Sequence, residues 1–143
     1  GEVLAWTHAD LQTDPMDVWA AYQKYRQQPE PLHLVKGRRQ NRKATEAFFT
    51  WGMQVLASAL LNTPLHDINA QPKLFSRQFY EKFLKEGAPY DFSLALYALY
   101  LAQRHGRIST IPVDFNERQH GEAKGGGSFK TRIKLIKRTW RYM

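Results

Sequence analysis

Apolar positions along this chain come in two forms, short unbroken runs and longer stretches at helical spacing, and the two alternate. The run Val3-Leu4-Ala5-Trp6 has the length and composition of a buried strand. It gives way to the polar positions His8, Asp10 and Gln12, and then to Asp14-Pro15, a favoured way to start a helix. Val18, Tyr22 and Tyr25 recur at helical spacing until the stretch 27–31 stops them. A second short run, Leu32 to Val35, reads as a strand feeding into Lys36-Gly37-Arg38-Arg39. From Thr45 to Leu61 a broad apolar helical face is predicted, ended by Asn62-Thr63-Pro64. Residues 67–75 read as irregular or short strand, and Ser76 caps a helix running towards Glu86-Gly87. Asp91 or Ser93 opens a further helix through Leu94 to His105, with Gly106 placed as its C′ residue. The stretch "RISTIPVDF" is a strand of β-branched residues in which Pro112 marks an edge or a bulge. A Gly-rich polar loop, 116–128, and a basic helix from Phe129 close the chain. Strands alternating with helices predict an α/β fold with a mostly parallel sheet.

Composition narrows the classes. A chain of 143 residues, 43% hydrophobic, suits one domain with a real core. It has no cysteine, so thiolate metal sites and thiol nucleophiles are excluded and any metal takes oxygen or imidazole ligands. The longest apolar run, Leu94 to Ala102, is far short of the roughly 20 residues that span a bilayer, and the N-terminus lacks a signal-peptide pattern. The chain as given reads as soluble or peripheral. The net charge of +8 is uneven: residues 1–31 carry two basic and five acidic groups, residues 104–143 ten basic and three acidic. With the cluster Lys36, Arg38, Arg39, Arg42 and Lys43, this attracts polyanions: nucleic acid, anionic lipid or phosphorylated small molecules.

Four segments carry candidate chemistry. In "HADLQ", Asp10 and Gln12 alternate along an extended stretch and present two oxygens to one hard cation or a ribose; as turn residues they would do neither. In "VKGRRQNRK", guanidinium groups at a strand end suit bidentate phosphate binding, and a Gly there lets backbone approach a ligand; a solvated charged face has the same composition. In "ERQHGEAKGGG", Arg118, His120 and Lys124 suit a lid over an anion, or a plain surface loop. The last helix sets Phe129, Ile133, Ile136 and Trp140 on one stripe among basic residues, the pattern of an interfacial helix on an anionic membrane or of a helix packed on its own domain.

Read in order, these pieces resemble the family 2 glycosyltransferases, especially dolichyl-phosphate mannose synthase and bacterial polyprenyl-phosphate transferases. "GEVLAWTHADLQTDP" resembles that family's strand ending in Asp-Ala-Asp-Leu-Gln before a proline-initiated helix. "LVKGRR" resembles its Gly-x-Arg element, "LHDINAQPKLFSR" its segment of an Asp, a small-polar run and an aromatic near an Arg, and "IPVDFNERQHGEAK" its Pro-x-x-Phe, Arg-x-x-Gly-x-Ser-Lys ending. Four motifs in order are more specific than any one. His8 stands where the family has an acid, and Ala123 where it has Ser. The family's opening strand, with a Pro-x-x-Asn-Glu-like element, has no counterpart.

The resemblance implies the C-terminal portion of a GT-A domain, Rossmann-like with a mostly parallel sheet, over residues 1–127, its N-terminal nucleotide-binding half absent, and a basic amphipathic helix over 128–143. It implies transfer of a sugar from a nucleotide-diphosphate sugar to a lipid-phosphate or saccharide acceptor. Magnesium or manganese would sit at Asp10, Gln12 and His8. Arg39 and Arg118 would act in catalysis with Asp91 as the carboxylate, and Arg38, Arg42, Lys124, His120 and Gln71 would hold substrate or phosphate. It further implies a cytoplasmic enzyme at the inner membrane face, and a half-domain completed by a missing piece or by a homo-oligomer. The alternative is a non-catalytic nucleic-acid- or polyanion-binding module using the basic regions with platforms such as Trp51 and Trp140.

Overall fold

The computed structural model describes residues 1–9, 12–40, 51–52, 54–55, 57–59, 61–91 and 93–114. Strand β1 (Val3–Trp6) is followed by helix α1 (Asp17–Gln27) and strand β2 (His33–Gln40). The described residues among 51–59 are helical (α2). Strand β3 (Lys73–Ser76) then leads straight into α3 (Arg77–Phe79), which widens into a π-helical turn (Tyr80–Leu84). Helix α4 (Leu94–His105) and strand β4 (Arg107–Asp114) complete the described elements.

Local chemistry explains most boundaries. The Asp14 carboxylate accepts from the Met16 N–H at 2.8 Å, and the Pro15 carbonyl accepts from Val18 N–H at 3.1 Å, so Asp14-Pro15 opens α1 as its sequence suggests. The Ser76 hydroxyl accepts from the Phe79 N–H at 2.9 Å and caps α3. Gly106 differs from expectation. It is extended (φ −139°, ψ −151°), not left-handed, and a Cβ there would collide with the Leu32 carbonyl where β4 turns in beside β2. Close approach, rather than a left-handed cap, requires the glycine.

The sheet order is β1-β3-β2-β4. The expectation of a mostly parallel sheet is corrected here: β3 pairs antiparallel with both β1 and β2, and only β2 and β4 pair in parallel. The reason is the connection from β2 to β3, which leaves and re-enters the sheet at the same end, so that β3 must run backwards. Apolar alternation records which face a residue takes, not which way its strand runs. Because β3 opposes both neighbours, β1, β2 and β4 all point one way. Pro112 lies on β4, an edge strand among the described residues, where its missing N–H costs no ladder bond on the open side.

Helices cover both faces. Leu34 and Phe75 pack against α2, α3, the π-helical turn and α4 through Ala57, Leu61, Phe79, Leu84, Leu96 and Leu99. Val35, Leu74, Ile111 and Val113 pack against Ala21, Tyr22 and Tyr25 of α1. Burial on two faces is why adjacent residues are apolar in β2, Leu34-Val35, and in β3, Leu74-Phe75. An aromatic chain, Trp6 to Phe75 (5.1 Å), Phe75 to Phe79 (5.6 Å) and Phe79 to Phe83 (5.1 Å), ties the sheet to the helices.

Candidate functional site

The strand directions bring the motif segments to one end of the sheet. β1 exits there towards His8 and Gln12, β2 exits there through Arg38 and Arg39, β4 exits there at Asp114, and β3 enters there from the loop 66–72. Cross-strand partners lie side by side in the row Trp6, Lys73, Lys36, Thr110. The carboxyl ends of strands that point one way are where open α/β sheets bind ligands.

At this end Arg39 meets Asp67. The Arg39 backbone N–H donates to Asp67 Oδ2 at 2.8 Å, while its Nε and Nη2 donate to Oδ1 at 2.8 and 2.6 Å. Both side chains are nearly buried, at 12% and 10% exposure. Asp67 takes a left-handed conformation (φ 47°), which Asp tolerates better than most residues, and its carbonyl accepts from the Ala70 N–H at 3.1 Å to close a turn.

Two lysines hold that turn from below. Lys36 Nζ donates to the carbonyls of His66 and Asp67, the latter at 2.9 Å, and Lys73 Nζ donates to the Ala70 carbonyl at 2.9 Å. Lys73 is wholly buried and Lys36 nearly so. Burial, then the Lys36 ammonium, pushes the Lys73 amine down to about 7; Asp67 works against this, and Arg39 adds to it. Gly37 lets another segment of backbone approach β2. The Gln71 backbone fills the space a Cβ would need, and the Gly37 N–H donates to the Pro72 carbonyl at 2.9 Å.

The remaining expected site residues fall as follows. His8 is exposed, Gln12 half-buried and Arg38 exposed. Gln71 is buried, and its Oε1 has no hydrogen-bond partner among the described residues, nor does the Oγ1 of buried Thr13. Asp91 is half-buried, its Oδ1 accepting from the Ser93 N–H at 2.8 Å and from the Ser93 hydroxyl in the turn before α4. Asp17, in the first turn of α1, has its carboxyl pushed up by burial and by Asp14 and Asp114, which sets the start of α1 beside the end of β4. Asp10, Arg42, Arg118, His120, Lys124 and the helix of 128–143 lie outside the described residues.

Among the described residues no group of three or more His, Asp or Glu is placed to hold a metal ion, and no helix is long and apolar enough to cross a membrane. No family model matches the chain, and no curated protein or solved structure matches it either.

The sequence points to Arg39 and Gln71, and to Lys36 within a polyanion-attracting cluster, but not to Asp67 or Lys73 as site residues. A signal was present: each lysine adjoins an apolar strand run, "LHLVK" and "KLF", where a charge is costly unless the fold needs it.

Proposed function

We propose that this chain transfers a sugar from a nucleotide-diphosphate sugar to an acceptor that is lipid-linked or saccharide. One observation carries the reading: Arg39 and Asp67, from two motifs that sequence resemblance alone had linked, share one nearly buried ion pair at the sheet end towards which β1 and β4 direct the other two motifs. Charge at that end favours anions, since among the described residues the charges acting on Lys73 are two cations, Lys36 and Arg39, and one carboxylate, Asp67.

In this mechanism an acceptor oxygen attacks the anomeric carbon as the bond to the diphosphate breaks, and the electron pair leaves with the diphosphate. Arg39, Arg118 and Lys124 orient the anionic oxygens and meet the charge that develops on them. Asp91 takes the proton when the acceptor is a hydroxyl; a phosphate acceptor is already ionised and needs no base. Asp10 and Gln12, with His8, would hold a hard divalent cation, which would supply positive charge to the diphosphate. The basic stripe of 128–143 suits an anionic membrane surface, where a lipid-linked acceptor resides.

A thermal-shift titration with UDP, GDP and their sugars, with and without manganese, tests the proposal. Ligand that binds only folded chain raises the melting temperature by mass action, about 2.7 kcal/mol at a hundredfold excess over Kd. The expected result is a manganese-dependent rise lost in Asp10→Ala. No rise with any nucleotide, together with salt-steep binding of single-stranded oligonucleotide, would replace the transferase reading with the polyanion-binding one.

A further inference from the structure

Among the described residues, Thr13 Oγ1, Asp17 Oδ2 and Gln71 Oε1 are buried with no hydrogen-bond partner. Thr13 and Gln71 are each only 5% exposed. A buried acceptor without a donor is costly, so each such atom calls for something to meet it. The Thr13 hydroxyl is able to donate to either of the other two, yet none of the three bonds another.

The fold brings them to one place. Helix α1 runs back against β2, and Tyr25 stacks on His33 at 5.4 Å, which pins the end of the helix over the start of the strand. From Tyr25 back to Asp17, at about 1.5 Å per residue, is about 12 Å along the helix. From His33 forward to Gly37, at about 3.3 Å per residue, is about 13 Å along the strand. Asp17 therefore stands over Gly37. There the Gln71 backbone crosses β2 on the α1 face, since a Cβ at Gly37 would meet both the Gln71 carbonyl and Val113 Cγ2. Thr13 lies one residue before the turn in which the Asp17 N–H donates to the Asp14 carbonyl at 3.0 Å. Among the described residues the charges acting on Asp17 are two further carboxylates, Asp14 and Asp114. The helix N-terminus opposes a cation with about half a charge, which one carboxylate outweighs.

We infer that Asp17, Gln71 and Thr13 hold a hard divalent cation of the magnesium or calcium kind, which ties the start of α1 to the loop entering β3. A carboxylate, an amide carbonyl and a hydroxyl are the oxygen donors such ions take. Two of the three are neutral, which is why no cluster of acids or histidines marks the spot. A water would satisfy the hydrogen bonding but leave the buried carboxylate without a counter-charge. The site shares no residue with the one proposed at His8, Asp10 and Gln12, and it holds structure rather than substrate.

The test is a thermal-shift titration of the EDTA-dialysed full chain with magnesium and with calcium, without nucleotide, against sodium chloride of equal ionic strength. One of the divalent ions should raise the melting temperature by about 5–10 °C at a hundredfold excess over Kd, and sodium should not. The rise should be lost in Asp17→Asn and in Gln71→Leu and kept in Asp10→Ala. A rise with neither ion means that water or a turned Gln71 amide meets these oxygens, and overturns the site. A rise that survives Asp17→Asn or Gln71→Leu, or disappears in Asp10→Ala, overturns it too. If neither buried-site variant folds, manganese added to Asp10→Ala decides: its broadening of nuclear magnetic resonance signals should reach the Gly37 and Gln71 amides before that of His8, and the opposite order refutes the assignment. The nucleotide-dependent response that tests the transferase reading is a separate result and stands or falls alone.

Discussion

Burying Lys73 makes the stability of the whole domain depend on pH, and the size of that dependence follows from its surroundings. The amine falls from 10.5 in the unfolded chain to about 7 in the folded one. Between those values the unfolded state binds more protons, so stability rises with pH across the window and the charged form is what costs. At 1.36 kcal/mol per pH unit, the full penalty at low pH is about 5 kcal/mol, and the gain from pH 7 to pH 9.5 is about 3 kcal/mol. That window excludes the other shifted groups. Burial lowers His33, which acts below 6.5, burial raises the Asp17 carboxyl from 3.8, which acts in acid, and burial raises Tyr25 and Tyr97, which act above 10. In urea, with a slope near 1.5 kcal/mol/M, the unfolding midpoint should move up by about 2 M over the window. Lys73→Met keeps an unbranched chain, one heavy atom shorter, and removes the charge. Its midpoint should be nearly flat with pH, above wild type at pH 7 and approaching it near pH 10. A wild-type midpoint that stays fixed, or a variant that climbs with the same slope, would refute the assignment of the burial cost to this lysine.

Other outcomes are expected from the same geometry. Asp67→Ala takes the carboxylate from the nearly buried Arg39 guanidinium, while Lys36 keeps its backbone carbonyls, and should cost about 3–5 kcal/mol in urea unfolding, as breaking buried ion pairs does. Gly37→Ala forces the loop off β2 at Gln71 and should cost at least about 1–3 kcal/mol by the same assay; a neutral result would mean that the loop shifts freely. His33 bonds the Gln28 carbonyl at 3.0 Å and the Ser109 hydroxyl at 2.9 Å, and its pKa is lowered mainly by burial. Stability should therefore fall as pH drops below 6.5, and less so in His33→Gln, read from melting temperatures.

Much of this was legible in the sequence because it is local. The β1 run, the Asp14-Pro15 start of α1, the Ser76 cap and α4 all depend on residues within one turn of themselves. The direction of β3 was not, because it depends on where a 32-residue connection from β2 returns, and no periodicity reports that. The site divides the same way. Arg39 announced itself by composition, whereas Asp67 and Lys73 look like a loop acid and a strand-end charge until tertiary contact puts them beside it. The sequence suggests a helix-ending conformation for Gly106 and close approach of backbone to a ligand for Gly37; in both cases a neighbouring carbonyl from another segment fills the space of a Cβ.

The backward strand also fixes an order of assembly. Val3 pairs with Ser76 and Leu4 with Phe75, so β1 has no partner among the described strands until β3 has been made. During synthesis β1 must therefore wait, with Leu4 and Trp6 uncovered, until β3 has left the ribosome. Loop closure over that span costs entropy before any contact repays it, which places the domain among slow folders that expose apolar edges on the way. The turn that carries Asp67 lies immediately before β3 in the chain. Whatever speeds its closure therefore also shortens the time for which β1 stands open to a wrong partner.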